Sequence, residues 1–169
     1  PYSIIINRDL GLGFFYAHHY DEAIEQLQRV LELDPNFALS LHMLGRAYVQ
    51  KSRYQEALAR CEKSVSLSRR RSPMLASLGY TYALAGRRTE ARRILNELQR
   101  RSETEYISGV HIAWIYVSLG EKEHALAWLE KAFNNRDPEM GWINRDPWFD
   151  PLRSDPRFQD LLRRMNFPP

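Results

Sequence analysis

The sequence predicts an all-α fold: a solenoid of four helix–turn–helix repeats closed by a helical C-terminal cap. Three observations predict it. Leu10-Gly11, Leu44-Gly45 and Leu78-Gly79 stand 34 residues apart, and Phe14, Tyr48 and Tyr82 each follow three residues after the glycine. Ile112-Ala113, followed by Tyr116, continues the same beat. The second half of the period keeps time as well, with Ala23, Ala57, Ala91 and Ala125 each followed four residues later by Leu27, Cys61, Leu95 or Leu129. A fixed period of this length marks stacked repeats, each burying its apolar face only against its neighbours.

The register divides the chain into units 4–37, 38–71, 72–105 and 106–139, with a closing segment 140–169. In the first unit Ser3 is the expected N-cap, and Ile6, Leu10, Phe14 and Ala17 fall at helical spacing on one face. Gly11 sits where the second helix must cross closely, an arrangement that offsets the roughly 1 kcal/mol a helical glycine costs relative to alanine. After a turn at His18-His19-Tyr20, Asp21 and Glu22 favour the positive start of the second helix. Ala23, Leu27 and Val30 form its buried stripe, and Asp34-Pro35-Asn36 stops it. Ser72-Pro73 is expected to cap and open the third unit, while Gly86 and Gly120 occupy turns in the third and fourth.

Beyond the periods, Asp137-Pro138 starts a short helix carrying Met140, Trp142 and Ile143. Asp146-Pro147-Trp148-Phe149-Asp150-Pro151-Leu152 is expected as an irregular linker that pins Trp148, Phe149 and Leu152 onto the last repeat. Ser154-Asp155-Pro156 caps a final amphipathic helix with Phe158, Leu161, Leu162 and Met165 on one face. The first helix has no such cover, so Ile4, Ile5, Ile6 and Phe14 await a preceding repeat or a second chain.

The four in-phase copies over residues 4–139 resemble the tetratricopeptide repeat. The resemblance implies a right-handed superhelix whose first helices line a concave, protein-binding groove. The family's early Trp is replaced by Asn7, Leu41, Leu75 and Gly109, and its closing Pro survives only as Pro35, with Pro138 displaced by one. The run from Asp146 to Arg164 is similar to the closing segment of repeat arrays in bacterial multidomain signalling proteins, among them winged-helix transcriptional regulators and Ser/Thr protein kinases. By that resemblance the parent is a bacterial signalling or regulatory protein.

Shifting by the period places Arg8, Leu12, Phe15 and Tyr16 on the groove in the first unit and His42, Arg46, Val49 and Gln50 in the second. Tyr80 and Leu84 follow in the third, Val110 and Trp114 in the fourth. This strip is aromatic and aliphatic, with Arg8, His42 and Arg46 as its charged end, and suits a peptide or partner domain offering apolar anchors and a carboxylate. The chaperone-tail clamp known in the family has no counterpart, since its positions match Arg8, Leu12, Met43, Pro73 and Ser77, only the first of them basic. The alternative function is self-association, a homodimer formed through the uncapped first helix.

Other chemistry is excluded by what the chain lacks. Net charge is +3, but residues 60–101 hold 11 basic and 3 acidic groups, a belt that includes Arg69-Arg70-Arg71, Arg87-Arg88 and Arg92-Arg93. Most of the belt falls in turns and on second helices without interleaved aromatic platforms, which argues for a solvated outer face over nucleic-acid binding. The single cysteine, Cys61, reads as a small buried hydrophobe. His18 and His19 lie in one turn, His42 in the second unit and His111 and His124 in the fourth, without metal-ligand spacing, and the aspartates before Pro147, Pro151 and Pro156 read as turn and N-cap residues. No nucleophile–base pair or phosphate cradle occurs, so a non-enzymatic protein without cofactor or metal is expected. No apolar stretch is long enough to span a membrane. The start at Pro1, without a signal segment, suggests a fragment of a longer protein and a cytoplasmic compartment.

Overall fold

The computed structural model describes residues 3–167; Pro1 and Tyr2, and Pro168 and Pro169 of the expected cap, lie outside the described residues. Each period folds into two helices joined by a short turn: α1 (Ile4–Tyr16) with α2 (Tyr20–Leu33), α3 (Ala38–Gln50) with α4 (Tyr54–Leu67), α5 (Ser72–Leu84) with α6 (Arg88–Arg101), and α7 (Gly109–Ser118) with α8 (Lys122–Asn134). Two short 3-10 helices, Pro138–Trp142 and Pro147–Leu152, and α9 (Pro156–Arg164) complete the chain. The first helices of successive pairs pack on one another, α1 on α3, α3 on α5 and α5 on α7.

Small residues at the recurring positions permit the close crossings. A Cβ added to Gly11 would lie 2.8 Å from Leu27 Cγ, and one added to Gly45 would lie 2.6 Å from Cys61 Sγ. The turns keep the beat too. His19, Arg53, Arg87 and Glu121 donate their backbone N–H to the carbonyls of Phe14, Tyr48, Tyr82 and Tyr116, at 2.8 to 2.9 Å. Each bond needs a left-handed residue just before it, and His18, Ser52, Gly86 and Gly120 all have φ between 57° and 80°. Only two of the four are glycine.

Two local expectations are corrected. Ser3 holds the N-cap position of α1 without a side-chain cap bond. Ser72 is the first residue of α5, behind an Arg71 cap, because Pro73 fits at the second helical position. Within the Ser154-Asp155-Pro156 run it is Asp155 that caps α9, accepting from the Arg157 N–H at 2.9 Å.

On α1 the buried face is Gly11 and Phe15, whereas Ile6 is 68% and Leu10 48% exposed. Their 34-residue counterparts Ser40, Leu44, Met74 and Leu78 are buried, in repeats that have a pair packed before them. Cys61 is buried beside Thr81, and burial pushes its thiol up to about 12.

Candidate functional site

The concave face is built by α1, α3, α5 and α7, and the chain's own tail lies across it. The segment expected as an irregular linker is a 3-10 helix, because Asp146 caps it by accepting from the Trp148 N–H at 3.0 Å. Trp148 is therefore carried beyond the last repeat into the groove. Its ring stacks on Tyr80 with centroids 3.9 Å apart and planes within 3°, and meets Trp114 edge-on at 5.1 Å.

Arg46 closes the arrangement. Its guanidinium donates to Asp146 Oδ1 at 2.7 Å, while Trp114 Nε1 donates to Asp146 Oδ2 at 3.1 Å. The same guanidinium lies 4.3 Å from the Trp148 ring centroid, 4.7 Å from Trp114 and 4.9 Å from Phe15. A planar, always charged cation suits such a stacked, bonded site where lysine would not. Asp146, read from sequence as a turn or N-cap residue, fills that cap and also anchors the tail to the second repeat.

Phe149, Leu152 and Phe158 are also fully buried. Burying each side chain of this size contributes roughly 1.5–3 kcal/mol, so a partner competing for the middle of the groove would have to replace the tail at considerable cost. On the outer side α9 packs against α8, where Arg157 pairs with Glu123 at 2.5 Å and Arg164 with Glu130 at 2.7 Å. The tail both covers the last pair and fills the groove.

Tyr80 is buried under Trp148, Phe15 and Val49 are also buried, and Gln50 and Leu84 are half-buried. Arg8, Leu12, Tyr16, His42, Arg46, Val110 and Trp114 line a recess of about 230 Å³ to which all four first helices contribute. The tail forms its remaining wall with Glu139, Trp142, Ile143 and Asp146. Trp142 is 47% exposed and stacks on Tyr16 with centroids 5.4 Å apart.

Curvature brings His42 and His111 to the same recess, though their spacing in sequence suggested no meeting. Burial drives the basicity of both down, His111 to about 4, with the nearby Arg46 charge acting in the same direction. Both rings are neutral at pH 7. Three buried nitrogens on lining residues have no hydrogen-bond partner: Arg8 Nε, His42 Nδ1 and Arg46 Nε. Buried polar atoms in native proteins are nearly always paired, so such a group in a recess marks a site open to a ligand's polar atoms.

Asp137 is a further residue that sequence reasoning saw only as a helix start. It accepts from the Tyr106 hydroxyl and the Gly109 N–H, both at 2.9 Å, and so ties the start of α7 to the tail.

A tetratricopeptide-repeat family model matches residues 8–73, and a second matches residues 110–136, together more than half of the chain. The chain belongs to the tetratricopeptide-repeat family. Among solved structures, this tetratricopeptide-repeat protein is similar to TTC0263, a thermophilic protein of the same fold from Thermus thermophilus. The TM-score is 0.62 at 20% identity, over 97% of both chains. YrrB, described as having an unusual peptide-binding site, superposes with a TM-score of 0.55 at 18% identity, over 95% of this chain and 84% of that one. MamA AMB-1 gives 0.53 at 18% identity, over 98% and 93%. These likenesses establish the fold. No curated protein matches the chain. Tetratricopeptide repeats mediate protein–protein interaction.

The basic belt of this repeat protein is largely bonded within the fold. Arg70 pairs with Glu97 at 2.6 Å, Arg87 with Glu90 at 2.8 Å, Arg101 with Glu105 at 2.6 Å, and Arg92 with Glu121. Arg88 donates to the Leu119 carbonyl at 3.1 Å. Among the described residues no cluster of three or more metal-ligating side chains occurs, and no helix is long and apolar enough to cross a membrane.

Proposed function

We propose that the protein is a non-enzymatic interaction module that holds a peptide or partner segment in the recess that its four first helices and tail enclose. Arg8, Leu12, Tyr16 and His42 form the contact surface, with Trp142 of the tail as its rim. The observation that carries this reading is the recess itself: apolar walls, and buried nitrogens on Arg8, His42 and Arg46 that lack hydrogen-bond partners among the described residues. Tyr80 and Trp114 hold the tail in place behind that surface, and Phe15 supports the Arg46 guanidinium that anchors it. Each apolar anchor buried there would contribute roughly 1.5–3 kcal/mol, before the costs of association are met. The resemblance of residues 146–164 to closing segments in bacterial regulators and kinases supports a signalling parent, with the recess as its sensor surface.

The test is selection of a displayed random-peptide library on the protein, followed by binding to Leu12→Asp and Tyr16→Ala variants that retain the helical signal. Selected peptides should lose binding to both. Undiminished binding to both variants contradicts the placement.

A second reading rests on a separate observation, the exposure of Ile5, Ile6 and Leu10 on α1. Through that face the protein self-associates. Sedimentation at rising concentration should show a dimer that Ile6→Glu abolishes, and a monomer throughout removes this reading.

A further inference from the structure

The recess carries information about what it holds. Its charged lining is Arg8, Arg46, Glu139 and Asp146, two cations against two carboxylates. Neither cation is idle: Arg46 is bonded to Asp146 at 2.7 Å, and Arg8 to Asp9 at 2.6 Å. A carboxylate entering here would meet Glu139, whose own carboxyl is already pushed up by burial and by the Asp137 and Asp146 charges. An ammonium would meet Arg46. His42, His111 and Tyr16, the other titratable groups facing the space, are uncharged at neutral pH, since burial lowers the basicity of both imidazoles and raises the phenol.

Of the three unpartnered nitrogens facing the recess, His42 Nδ1 donates or accepts according to its tautomer, and the other two demand acceptors. Arg8 Nε and Arg46 Nε can only donate, and each is buried without a partner. The walls between them include Leu39, Met43, Met74 and Ile143. Methionine adapts its shape to an apolar guest more readily than branched side chains do. At about 230 Å³ the space is smaller than the ~300–1,000 Å³ typical of whole small-molecule ligands. It fits one large side chain and the backbone around it.

We infer that the recess takes an uncharged aliphatic or thioether side chain of an extended peptide, whose backbone carbonyls accept from Arg8 and Arg46. This rests on the peptide-binding reading above and narrows it: the anchor residue is apolar, not acidic, and no terminal carboxylate is required.

Four blocked amino acids test it: the N-acetyl amides of leucine, methionine, glutamate and lysine, titrated against the full chain labelled at its methionine methyls. Met43 and Met74 line the recess and Met165 does not. The leucine and methionine amides should shift the Met43 and Met74 methyls saturably and leave Met165 in place. The glutamate and lysine amides should bind at least about tenfold more weakly, because a charge must be desolvated. Leu39→Trp, which narrows the mouth at a half-exposed position, should weaken the leucine amide by a similar factor at unchanged Tm. If the glutamate or lysine amide shifts those methyls as well as leucine does, the inference fails and the peptide-binding site stands. If none of the four shifts Met43 or Met74, both fail.

Discussion

Arg46 and Asp146 are 100 positions apart, yet their side chains meet at 2.7 Å with only 3% of either exposed. The pair joins the second repeat to the tail. Removing one member strands the other charge in a site shielded from water, whereas replacing both with apolar residues of similar size does not. Arg46→Leu or Asp146→Leu should each destabilise the protein by about 3–5 kcal/mol, and the double variant by clearly less than their sum. Urea denaturation of the four proteins in this cycle measures the coupling.

Trp148 is fully buried between Tyr80 and Trp114. Truncating such a side chain to alanine typically costs about 3–5 kcal/mol. Trp148→Ala should lower stability by that amount, and Tyr80→Ala should also act through stability and not through partner affinity alone. Thermal unfolding read beside peptide binding separates the two effects.

Glycines in this chain divide by what surrounds them. A Cβ at Gly45 would press on Cys61 Sγ at 2.6 Å, while one at Gly13 would meet nothing within 4 Å. Gly45→Ala should therefore destabilise by about 1–3 kcal/mol through overpacking. Gly13→Ala, on an exposed helical position, should stabilise by about 0.5–1 kcal/mol. Ser52→Gly should also stabilise, since a left-handed backbone costs a non-glycine residue roughly 1 kcal/mol. Equilibrium unfolding of the three variants decides each sign.

His42 and His111 are held neutral by burial, His111 with its pKa lowered to about 4. The unfolded chain protonates a histidine near 6.5. Below that pH the unfolded state binds more protons than the folded one, so stability falls as pH falls. The stabilisation is fully present above about 6.5 and erodes by up to roughly 1.4 kcal/mol per pH unit for each histidine. The His111 contribution levels off near pH 4. Denaturation midpoints from pH 7 to pH 4 should fall less steeply in His111→Gln than in the parent chain.

The repeats were legible because their determinants are local and recur: a glycine or alanine where helices cross, an aromatic ahead of each turn, an alanine on the second helix. Two of the four left-handed turn residues were not, since His18 and Ser52 stand where Gly86 and Gly120 stand and only the backbone reveals the equivalence. The period assigns the groove residues to first helices, but it says nothing of what those residues touch. Asp146 and Trp148 occur once each, outside the period, and no spacing rule links a tail aspartate to an arginine in the second repeat. The proline beside Asp146 pointed to a turn, and the turn is real; what it aims at is a tertiary fact. For the same reason His42 and His111 were assigned to separate units although the curved face brings them to one recess.

The central claim is that the tail lies in the middle of the concave face and leaves the recess beside it. The most direct measurement is a nuclear Overhauser experiment on the free chain, observing the Trp148 ring. Cross-peaks from Trp148 to Tyr80, with an indole N–H slow to exchange, are the expected result. A Trp148 ring without contacts to Tyr80 and a rapidly exchanging indole would contradict it.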